Sequence, residues 1–289
     1  FETLLLFRFL QGVGLAPLGV LSVTIIGDLY EGEHRITAMG YTGTVLGIGT
    51  AVLPVVGGVL AMFGWRYPFM LPVLALPLAV LVHLFLQNPE PRADSRLSDY
   101  FQEALRAMWR KNAIGLFLLT MLTLVILYGP FVTYVPLLLQ DRFLATPAII
   151  GVAIATASIF AGVASSQLGR LAGKIREAWI LRISFVMFLF SMVLIPAVPS
   201  LLSFALPLAL FGVAMGLGSP SRLTMISGLT STDQRAAVLA VNSLLQRVGQ
   251  TVGPALAGAI LAGFGFNAVF LAGAGVALCM IAISIWLVE

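Results

Sequence analysis

Arg8, Gln11 and Gly12 stand near the start of a long apolar run, and an arginine there is an expensive choice. A guanidinium inside a membrane-length stretch must face a cavity or a partner, or else snorkel to the headgroups. A second polar set lies far downstream, where Asn242, Gln246 and Gln250 recur at every fourth residue with Arg247 beside them. On a helix these amides share one face and should point inward, because lipid satisfies none of their hydrogen bonds. They serve either a path through the molecule or hydrogen bonding between helices. Between the two sets, Tyr128, Phe131, Thr133 and Tyr134 surround Gly129-Pro130. Rings with sparse hydroxyls suit a broad apolar cavity, and they suit packing or an interfacial belt as well.

The absences narrow the chemistry. No Asp or Glu falls deep inside an apolar stretch; Asp28, Glu31, Glu33, Asp141 and Asp233 all sit at the ends of such stretches. The two histidines are His34 and His83, and His83 lies near the end of its stretch, where packing or a headgroup contact accounts for it. There is no HExxH, no Cys-His metal spacing and no Ser-His-Asp set, so the sequence holds no catalytic constellation and calls for no cofactor or metal. Gly169 to Lys174 imitates a phosphate loop, but its spacing is one short and no hydroxyl residue follows the lysine. The single cysteine, Cys279, permits no disulfide within one chain.

These residues are carried by membrane-length elements. Hydrophobic residues make up 60% of the 289 and charged ones only 10%, which excludes an ordinary soluble domain. The net charge of +4 is too small and scattered for nucleic acid. Nine apolar stretches are long enough to span, at 3–27, 37–62, 67–87, 113–139, 147–170, 179–198, 202–228, 236–262 and 265–288. Prolines 72, 77, 130, 136, 207 and 220 fall inside them and mark kinks. Lys and Arg concentrate in alternate gaps: Arg35, then Arg92 to Lys111, then Arg170 to Arg182, then Arg235. Those gaps are cytoplasmic by the charge rule, so the first and last spans run from outside to inside. An odd number of spans with an outside start, no initiator methionine and no signal peptide reads as a cut end. The hydrophilic segment 88–112 divides the spans three against six. Within it, Leu97, Phe101, Leu105, Met108 and Trp109 share a helical face, which predicts an amphipathic helix along the cytoplasmic surface.

The chain also repeats itself. Arg35, Gly49, Pro54 and Gly58 return as Arg235, Gly249, Pro254 and Gly258, and Gly12-Val13 returns as Gly212-Val213. A helical membrane chain of two related halves is the plan of a carrier with its site between them. Gly40, Gly49, Leu53-Pro54 and Gly57-Gly58 place small residues on one helix face beside a bend, where a neighbouring helix can approach closely.

That spacing resembles motif C, the antiporter motif of the major facilitator superfamily, with Leu53 standing where the family has glycine and the second copy keeping Gly253. Leu4, Arg8, Gln11, Gly12, Gly14 and Ala16 resemble the same family's motif B, whose arginine is linked to proton transfer. The loop at 168–174 fits motif A weakly, since Arg170 replaces its aspartate. The resemblance covers essentially the whole chain and implies an all-α membrane protein of the major facilitator fold, with the nine spans as helices 4–12 of twelve. It implies the rest of an N-terminal half at 1–87, a central cytoplasmic loop at 88–112 and a C-terminal half at 113–289. Gly64-Trp65-Arg66 is similar to the drug:proton antiporters. The expected function is proton-coupled export of small amphipathic compounds, with a sugar or metabolite carrier as the alternative and a membrane enzyme or scaffold as a remote one. Helices 4, 7 and 10 of the family line its path, which makes Tyr128, Phe131 and Tyr134 cavity candidates. Asn242 and Gln246, on the neighbouring eighth span, are candidates by their polarity. Partners are then a small molecule, protons and the bilayer; the chain is expected to act as a monomer in the bacterial inner membrane.

Overall fold

The structure, a computed structural model, describes residues 2–15, 18, 21, 25–26, 29–30, 32–85, 111–229 and 235–288. Every element among them is helical. In chain order these are α1 (Glu2–Leu15), α2 (Gly32–Phe63), a 3-10 segment (Tyr67–Leu74), α3 (Ala75–Phe85), α4 (Lys111–Ile126), a π-helical segment (Leu127–Tyr134), α5 (Val135–Phe143), α6 (Pro147–Ala172), α7 (Glu177–Ala197), α8 (Ala205–Ser227) and α9 (Arg235–Trp286). Six stretches among the described residues are helical, long and apolar enough to cross a membrane. The amphipathic helix expected at 88–112 and the second part of the first span lie largely outside the described residues.

Three departures from plain spanning helices have local causes. The third span opens as a 3-10 segment, because Pro68, Pro72 and Pro77 each remove a backbone donor from its first turns. The fourth span loosens into π-helix around Gly129-Pro130, where Thr133 Oγ1 donates to the Tyr128 carbonyl five residues back at 2.6 Å. The eighth and ninth spans run on as α9 but break at Gly265, whose φ of 80° favours a residue without a Cβ.

By contact, the chain falls into two compact units. One comprises Phe1–Thr50 and Phe69–Asp94, and the other Ala51–Pro68 and Ser95–Glu289. In the first, α1 turns large apolar side chains outward, with Phe7, Phe9 and Leu10 all more than half exposed. The second holds the core, where Phe185, Phe188, Phe204, Phe211 and Phe270 are almost wholly buried. There α9 packs on α4 and α7, while α8 packs on α6 and α7.

Glycine sets the spacing of these helices. Lipid tails are as apolar as leucine, so helices gain little by merely hiding hydrophobic side chains and associate through close packing. Gly212 and Gly216 of α8 lie against the α6 carbonyls of Ala157 and Ala161. Gly249 and Gly253 of α9 lie against Met121 and Val125 of α4 in the same manner. A Cβ on Gly253 would stand 2.7 Å from the Val125 carbonyl oxygen and 3.1 Å from the Gly129 nitrogen. Both neighbours are backbone, so neither can rotate away.

Arg182 closes the end of α9 from α7. Its Nη2 donates to the carbonyls of Ser284 at 3.1 Å and Val288 at 3.2 Å, and its guanidinium lies over the Trp179 ring. These are the orphan carbonyls of a helix C-terminus, for which a cation is the favoured partner.

Gly253→Leu is therefore expected to lower the thermal-unfolding midpoint of the purified protein, at an overpacking cost of about 1–3 kcal/mol. Gly57→Leu should stay near wild type, because a Cβ at Gly57 meets nothing within 4 Å among the described residues. Equal midpoints for the two variants would contradict the backbone contact at Gly253.

Candidate functional site

The arginine of the first span is held by near neighbours. Arg8 Nη1 donates to Gln11 Oε1 at 3.0 Å, and its guanidinium lies 5.6 Å from the centre of the Phe69 ring. The residue is exposed, and a Cβ at Gly12 would meet nothing within 4 Å among the described residues. Gln11 one turn on thus orients the cation, and Phe69 offers it a ring face.

The glycine-proline helix makes its close contact elsewhere. Pro54 and Gly58 of α2 press against the first turns of α6: Gly58 lies on the Pro147 carbonyl, and Gly151 lies on the Pro54 carbonyl. Pro54 has no backbone N–H and so leaves one carbonyl of its own helix without its usual donor where α6 arrives. Beside this crossing is a cavity of about 270 Å³ lined by Pro54, Gly58, Gln140, Pro147, Gly151 and Ile154 among others. None of the five cavity candidates of the sequence lines it. Gly49 is half-buried, and the surroundings of Gly40 lie outside the described residues.

The five candidates point to different neighbours. Phe131 is 3% exposed and stacks on Phe211 of α8 at 3.7 Å with the rings nearly parallel, while Phe188 meets Phe211 edge-on. Tyr134 turns to α9, donating to the Pro254 carbonyl at 3.5 Å; its hydroxyl lies 2.9 Å from where a Cβ on Gly258 would be. Tyr128, in the same π-helical segment, is half-buried. Asn242 is 4% exposed, and its Oδ1 is sealed without a partner among the described residues. Gln246 is half-buried, and Gln250 accepts a hydrogen bond from Arg247 Nη1 at 3.0 Å.

One charged residue escaped the sequence reading. Arg222 of α8 is 4% exposed, and its Nη1 donates to Thr123 Oγ1 of α4 at 2.8 Å. The signal was available in the seventh apolar stretch, where an arginine breaks the run.

The stack around Phe131 separates packing from selectivity. Phe131→Ala should cost about 3–5 kcal/mol as a core truncation and lower the thermal midpoint. Tyr128→Ala, at a half-buried position, should lower it far less. The reverse order of midpoints would show that the Phe131–Phe211 stack is not part of the core.

Comparison with known proteins places this geometry in a family. The profile described as Major Facilitator Superfamily matches residues 1–144 and 131–289. "Multidrug resistance protein 2" of Bacillus subtilis is 24% identical over 258 residues, covering 87% of this chain and 64% of that protein. The multi-drug resistance efflux pump PmrA homolog of Lactococcus lactis is 26% identical over 232 residues, covering 78% of this chain and 57% of its own length. Among solved structures, the human organic anion transporter MFSD10 superposes with a TM-score of 0.64 at 20% identity, covering 91% of this chain and 67% of that one. A bacterial homolog of the human lysosomal transporter Spinster gives 0.61 at 17% identity, covering 92% and 71%. The chain thus spans less than two thirds of the two bacterial multidrug relatives it matches. With the all-helical fold, the twice-used glycine-proline seam and a family match over its whole length, this chain belongs to the Major Facilitator Superfamily of membrane transporters.

Proposed function

We propose that the protein is a secondary active exporter of the multidrug type, moving small amphipathic compounds outward in exchange for protons as a monomer in the bacterial inner membrane. The observation that carries this reading is the doubled glycine-proline element. Pro54–Gly58 meets α6 backbone to backbone, and Gly249–Gly253 meets α4 in the same way. A carrier needs a tight seam that seals on contact and can part without breaking many bonds; the Pro54–Gly58 contact is of that kind, while the Gly249–Gly253 contact holds two helices of one half together. The multidrug names of the two bacterial relatives favour amphipathic cargo.

In this reading residues 1–87 and 113–289 act as the two halves and 88–112 joins them. The contact of Pro54 and Gly58 with α6 then opens and closes in each cycle. Arg8 supplies a fixed positive charge near the outer side, where it lowers the proton affinity of a neighbouring acid. Tyr128 and Gln246, the two half-buried candidates, are proposed to face the cargo path.

The test uses the full-length protein in proteoliposomes with an imposed pH gradient and a fluorescent amphipathic dye. Wild type is expected to move dye against its gradient and dissipate the proton gradient as it does so. Arg8→Ala should abolish gradient-driven movement at unchanged membrane abundance, and Arg8→Lys should restore part of it by keeping charge without the planar fork. Full transport by the alanine variant would leave Arg8 as an anchor, and dye movement indifferent to the pH gradient in wild type would overturn proton exchange.

A further inference from the structure

We infer that Arg222, with Thr123, forms a buried anion-binding site between α8 and α4, which gives the cargo of this carrier a carboxylate or comparable oxyanion group; the inference rests on the transport reading above. The first argument is depth. Thr123 lies twelve residues into α4 from Lys111, about 18 Å at 1.5 Å per residue, close to half the thickness of a hydrocarbon core. Arg222 itself is five residues from the end of α8 at Ser227, but at 4% exposure its guanidinium packs on Thr123 instead of reaching past that end.

The second argument is the partner. Thr123 Oγ1 donates its own proton to the Leu119 carbonyl at 2.7 Å, so only its lone pairs face Arg222. A neutral hydroxyl takes one of five donors and neutralises no charge. No other hydrogen bond or ion pair reaches Arg222 among the described residues. A buried cation left in this condition is strongly unfavourable unless an anion completes it.

The third argument is the unused edge of the guanidinium. The sealed polar atoms without partners among the described residues are Arg182 Nε and Asn242 Oδ1. Nε and Nη2 of Arg222 carry no hydrogen bond among the described residues, and the residue is only 4% exposed. Side by side on a planar fork, they are the edge that grips a carboxylate with two parallel hydrogen bonds. Arg182 makes the contrast plain: its charge is met by the two carbonyls of Ser284 and Val288, and its Nε is shut away. One arginine closes a helix end, and the other waits for an anion.

Such an anion has two possible sources, the cargo or a carboxylate of the protein itself, and binding assays on the full-length protein distinguish them. The probes are pyrenebutyrate, its neutral amide and the matching pyrenebutyl trimethylammonium, compared by fluorescence titration in detergent. Wild type is expected to bind the carboxylate at least about tenfold more tightly than the amide. Arg222→Gln should erase that preference while leaving amide affinity within about twofold, Arg222→Lys should keep part of it, and Thr123→Val should reduce it about threefold. If Arg222→Gln fails to fold, the lysine and valine variants carry the same comparison. A wild type that binds all three probes alike, or prefers the cation, overturns the inference and points to a protein carboxylate as the partner. An unchanged preference in folded Arg222→Gln overturns it equally. Gradient-driven movement of the amide by wild type reports the export reading separately, so either can fail while the other stands.

Discussion

The structure depends on how closely helix backbones approach one another. In a bilayer the usual reward for burying leucine is absent, and contact must come from van der Waals fit. Gly212 and Gly216, Gly249 and Gly253, and the pair Gly58 and Gly151 each put one helix directly on a neighbour's carbonyls. Because the atoms in contact are backbone, the distance of closest approach is set by main-chain atoms and not by side-chain rotamers. The short reach from Arg222 to Thr123 and the hydroxyl of Tyr134 over α9 both depend on that spacing.

A second constraint sorts the polar groups. Most hydroxyls within the helices satisfy themselves locally, as Thr120 does on Leu116, Ser221 on Leu217 and Ser243 on Leu239. Such bonds make a hydroxyl tolerable in an apolar medium without giving it a task. Arginine cannot satisfy itself this way. Each therefore needs its own account: Arg182 on helix-end carbonyls, Arg142 on the Pro196 carbonyl, Arg8 and Arg247 on glutamines three residues away, and Arg222 on one threonine. The last is the only one of these that is both buried and paired solely with a hydroxyl.

Much of the fold was legible because membrane helices advertise themselves by length and hydropathy. The glycine-proline repeat also foretold close helix approach, although the contact in the first copy is made by Gly58 and Gly151, and Gly57 meets nothing among the described residues. The π-helical turn at Leu127–Tyr134 was not legible, since proline predicts a kink without saying how the hydrogen bonds rearrange. That rearrangement decides which aromatic faces what: Phe131 enters the stack with Phe211, and Tyr134 turns to α9. Arg222 was legible as an arginine interrupting the seventh apolar stretch, but its partner Thr123, 99 residues away, was not.

The central claim is that the contact between α2 and α6 is a moving seam of a transport cycle. With Cys279 replaced by serine, cysteines at Val55 and Ala148 would flank the crossing where Gly151 approaches Val55 and Gly58 approaches Ala148. Oxidation in proteoliposomes should join them, stop dye movement, and release it again on reduction. Undiminished transport by the fully cross-linked protein would contradict the account.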